Sequence, residues 1–304
     1  MRRSPSIRPN TLLGIGFMIG AMLVLPFLDV VAKFLGQQNV PIIQIVWARL
    51  FFGLAMTAPL VWKIDGARNF IPQRPVVHTV RAILLVTATA LFFWALKFQS
   101  IADTLAIFFV QPLVITLLSP LVLGEKVGLR RWLAVAIGFM GTLIIIRPGF
   151  QSLNPGVFMA LGAGASLALY MLMTRRIAGG TSAMTTTYLT SLAGAVLTSA
   201  AVYFVWRTPT LEQWGLFLLL AFIATVGHYL IVRAYDYAEA SLLAPLGYTE
   251  MIMAVAAGWY FFGDFPDAWT FVGVGVLIAC AIYISYRERV RKVAPLETPP
   301  TMIS

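Results

Sequence analysis

Charge is scarce in these 304 residues: Asp, Glu, Lys and Arg together make up 11% of the chain, against 60% hydrophobic residues. A water-soluble domain carries roughly a quarter charged residues, so this composition cannot cover the surface of a soluble globule. Cysteine is nearly absent. Cys280 stands alone inside an apolar run, which excludes an intramolecular disulfide and reads as a small core hydrophobe. The two histidines, His78 and His228, are far apart, and no HExxH or clustered Cys/His pattern occurs, so no metal site is expected. No GxxxxGKS/T loop is present, which excludes an ATP-hydrolysing motor of that type and leaves no cofactor implied. No Ser-His-Asp arrangement with a recognisable spacing appears, and an enzyme is not expected.

What the chain has is long apolar runs. A bilayer core about 30 Å thick needs about 20 apolar residues per crossing helix. Ten such stretches are readable: 12–33, 41–62, 78–97, 101–123, 129–146, 155–176, 183–206, 212–232, 238–262 and 268–287. They predict an all-α membrane protein of ten transmembrane helices in one compact membrane domain. Arg2-Arg3 before the first run imitates a signal peptide, but the run from Leu12 to Phe34 is too long for one and reads as a retained first span. Pro and Gly gather between runs, at Pro72, Pro75, Pro148, Gly149, Pro155, Gly179 and Gly180, as turns require. The longest connection, about Lys63 to Val77, is basic, carries Phe70 and follows Trp62; a segment lying along the membrane surface is expected there.

The net charge of +10 invites a nucleic-acid reading, but Lys and Arg sit in short clusters between apolar runs, as orientation signals do. With the N-terminus inside, 17 of them fall on inside connections and 4 outside (Lys33, Lys97, Arg147 and Arg207), leaving Arg49 within a span. This predicts a multi-pass membrane protein with both termini cytoplasmic, partnered by the lipid bilayer and not by nucleic acid. A monomer or weak homodimer is the expected state.

The two halves resemble each other. The stretch from Ala95 to Glu125 aligns without a gap on Ala234 to Asp264, at an offset of 139, so that Phe98 meets Tyr237 and Gln111 meets Glu250. At an offset of 142, Gly14, Gly20, Ala21, Leu25 and Lys33 meet Gly156, Gly162, Ala163, Leu167 and Arg175. Residues 1–150 and 151–304 therefore read as a first and a second repeat of five helices each. Five is odd, so the halves insert in opposite orientation. Inverted repeats are a recurring plan of secondary transporters, with the substrate near mid-membrane between the halves.

Trp47-Ala48-Arg49, the Ala95-Leu96-x-Phe98 turn, Gln111-Pro112, Leu123-Gly124-Glu125 and Arg147-Pro148-Gly149 resemble the drug/metabolite transporter superfamily, within it the EamA-type ten-helix transporters, and among those the YddG-like amino-acid exporters. The likeness covers nearly the whole chain. Met251 stands where the family often has Pro after the Glu of span 9, and Asp264 where it often has Glu. The resemblance implies a place in the cell inner (plasma) membrane and a small-molecule substrate as partner: export of small metabolites, above all neutral and aromatic amino acids, by alternating access. A nucleotide-sugar, vitamin or polyamine substrate stays open, as does a non-transporting membrane partner.

Arg49 lies near mid-membrane, where a cation is costly and faces a cavity or a partner. It reads as the contact for a substrate carboxylate or as half of a structural ion pair. Glu250, near the middle of span 9, is either its partner or a coupling site; Asp29 is a second coupling candidate, or pairs locally with Lys33 one turn on. Trp94, Phe98, Tyr170, Tyr229 and Tyr248, with Gln111 and His228, are expected to line an aromatic and polar substrate site. Pro26, Pro112 and Pro245, with Pro120, interrupt helical hydrogen bonding and are the hinge candidates. Gly16 with Gly20, and Gly162 with Ser166, have the spacing that lets helices approach closely.

Overall fold

The computed structural model describes residues 11–66, 74–123, 129–147, 154–176, 183–238 and 243–293. The first half holds α1 (Thr11–Gln37), α2 (Ile42–Asp65), α3 (Pro75–Ala95), α4 (Ile101–Phe108), α5 (Gln111–Leu123) and α6 (Leu129–Ile146). The second holds α7 (Pro155–Arg176), α8 (Ala183–Val202), α9 (Leu211–Tyr237), a 3₁₀ segment (Ala244–Thr249) running directly into α10 (Glu250–Phe262), and α11 (Ala268–Val293). Seven described helices are long and apolar enough to cross a bilayer, with α4 and α5 counted together. Shorter apolar stretches at Val135–Ile146 and Ala268–Cys280 supply two more crossings, and the 3₁₀ segment with α10 completes the ten.

Span limits follow the sequence reading closely, with two differences. Span 4 is not one helix. It breaks at Phe109–Val110, just before Pro112, which has no N–H to offer the Phe108 carbonyl. That freed carbonyl lies where Gly164 of α7 passes; a Cβ there would stand 2.8 Å from the oxygen. Span 9, expected as one helix over 238–262, is interrupted by a 3₁₀ segment, Ala244–Thr249, which contains Pro245 and precedes the α-helix that starts at Glu250. Gln111 and Glu250, matched in the repeat, each become the first residue of the α-helix after the break. Pro26 and Pro120, by contrast, sit inside uninterrupted helices. The surface segment expected between spans 2 and 3 falls largely outside the described residues.

Successive spans run in alternate directions, and contacts between distant parts of the chain fix two faces. At the face where α1 ends, Lys33 meets Asp264, Gln44 Nε2 donates to Arg207 O at 2.8 Å, and Arg147 pairs with Asp267. At the face where α1 begins, Arg81 Nε donates to Thr174 Oγ1 at 3.0 Å, and Gly14 packs on Ala238. We call these the far face and the N-terminal face.

Helix partners repeat the internal symmetry. α1 packs mainly on α9, and its counterpart α7 packs on α3, the counterpart of α9. The self-related pairs α2 with α8 and α6 with α11 complete the bundle. Each half thus lays its first span on the third span of the other, and the fold is two interlocked inverted repeats. Glycine sets the approach in matching places. A Cβ on Gly14 would lie 2.7 Å from Ala238 Cβ and 3.1 Å from Ala234 O. A Cβ on Gly156 would lie 2.9 Å from Phe98 Cβ and 3.2 Å from Ala95 O. Gly14 matches Gly156 and Ala234 matches Ala95, so one contact is built twice.

Gly16 has the spacing of a close-contact position, yet a methyl placed on it would have nothing within 4 Å, and one on Gly20 only Leu230 at 3.8 Å. Gly14→Ala and Gly156→Ala are therefore expected to lower the unfolding temperature, each by the cost of overpacking, about 1–3 kcal/mol. Gly16→Ala should leave it unchanged or slightly raised. Equal thermal melts for all three would contradict the interlocked crossing.

Polar caps close the far face. Ser100 accepts from the Asp103 N–H at 2.9 Å to start α4, and Thr210 with Gln213 forms a capping box at α9. Asp267 caps α11 through the Thr270 N–H at 2.8 Å, and Thr270 Oγ1 also reaches Asp103. Burial pushes the Asp267 carboxyl up, but hydrogen bonds from Thr270 and the neighbouring Arg147 outweigh it and hold the group below its ordinary range. A carboxylate with a depressed folded-state pKa stabilises the fold above its unfolded pKa, and the contribution disappears as pH falls through the folded value. Thermal melts of the parent and Asp267→Asn should accordingly differ at neutral pH and converge in acid; a constant gap would exclude this role.

Candidate functional site

The halves enclose a cavity of about 650 Å³. Its walls come from eight spans, and its residues place it by depth. On α1 it touches Met18 to Asp29, on α2 Arg49 to Leu60, on α8 Met184 to Ser191, and on α9 Ala224 to Val232. Met184 is the second residue of α8 and Arg49 the eighth of α2. At 1.5 Å per residue the cavity runs from about mid-span to the N-terminal face. On the other side the bundle is closed by buried apolar packing, including Leu35, Ile45, Ile101, Ala106, Phe217 and Ala254.

Besides the tyrosines, four titratable side chains line this space: Asp29, Arg49, His228 and Glu250. Arg49 Nη1 donates to Thr89 Oγ1 at 3.0 Å. Among the described residues Arg49 forms no salt bridge, so the reading as half of a helix-binding salt bridge is not realised. Asp29 does not pair with Lys33 either. Lys33 turns to Asp264 at 2.6 Å, and Asp29 lines the cavity. His228 Nδ1 is 2.8 Å from the Ala224 carbonyl, which can only accept, so the proton sits on Nδ1. Glu250 and Gln111 reach the cavity because each opens a helix at a mid-span break.

The expected lining residues divide. Gln111, Tyr170, His228, Tyr229, Tyr248 and Glu250 come together with Asp29 and Arg49, and so does the hinge candidate Pro112. Trp94 and Phe98 do not join them: both are exposed near the end of span 3, and Phe98 faces a separate cavity at the far face. Phe92, Phe93, Phe108 and Phe109 supply much of the aromatic wall instead, with Met18, Met22, Met171 and Met184. In the sequence these look like any other apolar residues of a span.

Thr89 is equally inconspicuous there, one threonine among many. Arg81 counts as an orientation charge in the sequence, but its side chain is fully buried. It donates to Thr174, to His78 Nδ1 at 3.2 Å and to Tyr170 OH at 3.3 Å, and lies over the Tyr170 ring. It thereby fixes the aromatic ring that α7 presents to the cavity.

An interior cavity of this size, lined by ionisable groups and set between inverted repeats, defines a membrane transporter of small solutes. A model of the EamA-like transporter family matches residues 12–147 and again residues 154–286, and the chain belongs to that family. It is thus a multi-pass membrane transporter rather than an enzyme. Similar proteins include the S-adenosylmethionine uptake transporter of Rickettsia bellii, 25% identical over 91% of this chain and 94% of the relative. The riboflavin transporter of Vibrio cholerae is 26% identical over 93% of this chain and 96% of its own length. The pseudopaline exporter of Pseudomonas aeruginosa is 28% identical, over 81% and 86%. A solved crystal structure superposes with a TM-score of 0.63 at 18% identity, covering 94% of this chain and 98% of the other, and shares the fold.

Proposed function

We propose that this protein exports neutral and aromatic amino acids across the inner membrane by alternating access, with its N-terminal face in the cytoplasm. The excess of Lys and Arg on the connections of that face supports the orientation. It makes the arrangement described above the cytoplasm-facing state. The observation that carries the substrate reading is a guanidinium held by Thr89, without a carboxylate partner among the described residues, in one cavity with two carboxylates.

Opposite charges placed in one low-dielectric space match a zwitterion. Arg49 takes the solute carboxylate, while Asp29 and Glu250 take its ammonium. The Phe, Tyr and Met walls accept an apolar or aromatic side chain. Asp29 and Glu250 are also the coupling candidates, since a proton competing for them would empty the ammonium subsite. Pro112 and Pro245, beside the breaks in spans 4 and 9, mark where the two repeats would bend.

A second reading has its own support. The cavity is larger than a single amino acid needs, and the relatives named for S-adenosylmethionine uptake align over nearly the full chain. S-Adenosylmethionine carries an amino-acid group, so an amino-acid derivative with a bulky extension would use the same subsites.

Thermal stabilisation of the purified protein tests both readings. L-Phenylalanine should stabilise it more than phenylethylamine or phenylacetate, each of which lacks one charged group. If S-adenosylmethionine stabilises it and L-phenylalanine does not, the second reading replaces the first. Equal shifts for all four compounds would remove the zwitterion site.

A further inference from the structure

A second cavity, of about 360 Å³, lies at the far face, and nothing in the zwitterion site uses it. It is lined by Lys33, Phe93, Lys97, Gln99, Ser100 and Asp264, among others. Three features mark it as more than a surface dent.

The first is its position. Phe93, itself buried, lines this cavity and the central one alike, so the two cavities share a lining residue. On α1, Asp29 faces the central cavity and Lys33 the outer one. They stand one helical turn, about 6 Å, apart along the same face. The second is an uneven charge. Lys33 is bound to Asp264, whereas Lys97 has no ion pair among the described residues, so the cavity carries a surplus cation. The third is an unused donor. Gln99 Nε2 is buried without a hydrogen-bond partner, although the Gln99 carbonyl accepts from Lys33 Nζ at 3.4 Å.

The Lys33–Asp264 contact also ties α1 of the first repeat to the turn after α10 of the second. Gly263, at φ +71°, turns the chain there and presents Asp264. Lys33 packs over the Phe262 ring at 4.7 Å. A contact joining the two repeats across the closed end must break before the central cavity can open that way.

We propose that the outer cavity is the far-face port of the transport path and a second binding site for a solute carboxylate. There the carboxylate displaces Asp264 from Lys33 and takes donors from Lys97 and Gln99, and this exchange releases the closed end. The carboxylate requirement rests on the amino-acid reading above; the port does not.

Cysteine accessibility separates the two. Cys280 is replaced by Ala, and a reporter is placed by Ala88→Cys, a buried position lining the central cavity. Intact cells are treated with a membrane-impermeant thiol reagent, with Glu212→Cys at the exposed far face showing that this face is outside. Reporter labelling should be slow in the parent background and rise about tenfold in Asp264→Asn and in Lys33→Met, as expected when one side of a two-state equilibrium loses a partner. The swap Lys33→Asp with Asp264→Lys should return it toward the parent value. External L-phenylalanine should speed labelling in the parent background but not in Lys33→Met, and phenylethylamine should do nothing.

Labelling unchanged in both single variants would overturn the port. Faster labelling in the variants with no effect of L-phenylalanine, in a protein that still exchanges amino acids, would overturn the carboxylate site. Absence of amino-acid exchange would count against the functional reading, and the two single variants would still decide whether the port exists.

Discussion

Arg49→Ala should lower saturable amino-acid exchange about tenfold to hundredfold while the protein still folds and inserts. A hydrogen bond to a charged group contributes about 1.5–3 kcal/mol, and each 1.4 kcal/mol is a factor of ten in affinity. A central arginine in a span costs about 2.5–3.5 kcal/mol on insertion scales, so removing it should not impair membrane integration. Among the described residues Arg49 keeps only the Thr89 hydroxyl as a hydrogen-bond partner, which makes a purely structural role a poor account of that cost. Arg49→Lys should fall between parent and Ala. It restores the charge but not the planar fork that can hold Thr89 and a carboxylate together. Arg49→Ala should also lose the preference for L-phenylalanine over phenylethylamine, because the missing group is the one that read the carboxylate. Exchange at the parental rate in Arg49→Ala would remove Arg49 from the site.

The second large effect is expected from Glu250→Gln. Glutamine keeps the shape and the helix start but removes the carboxyl group that Glu250 contributes to the cavity, which Asp29 also lines. Exchange should fall at least about tenfold, in line with losing one charge-assisted contact. The selectivity change should mirror that of Arg49→Ala: the variant should cease to distinguish L-phenylalanine from phenylacetate. Asp29→Asn should move selectivity in the same direction, because both carboxylates serve the ammonium subsite. Glu297→Ala, in the C-terminal tail outside the described residues, should transport like the parent. If Glu250→Gln and Glu297→Ala behave alike, Glu250 carries no substrate role.

Much of the fold is legible in the sequence because hydrophobic length and loop charge are one-dimensional signals. The limits of spans 5 and 6 read from the sequence, 129–146 and 155–176, coincide with α6 and α7. The internal repeat is legible too, since matched residues such as Gly14 and Gly156 do the same work in each half. The breaks are harder. Pro112 points to a kink, but nothing local says that Gln111 restarts the helix. In span 9 the irregular turn falls at Pro245, which has no proline counterpart in the first half. Helix facing is the least readable feature. Ionisable residues in spans stand out by cost alone, so Asp29, Arg49 and Glu250 can be found. Aromatic residues have no such mark: Trp94 and Phe98 look as eligible as Phe92 and Phe93, and only packing separates them. The pairing of Asp29 with Lys33 fails for a related reason. Four-residue spacing gives adjacency on a helix, but Asp264, from the far end of the chain, is the better placed partner for Lys33.

The most direct test of amino-acid export through this cavity is counterflow in liposomes containing the purified protein, preloaded with unlabelled amino acid and offered labelled L-phenylalanine outside. Saturable uptake of label is predicted in the parent, competed by other neutral amino acids and reduced to near background in Arg49→Ala. No counterflow of any amino acid by folded parent protein, under conditions where another solute is exchanged, would contradict it.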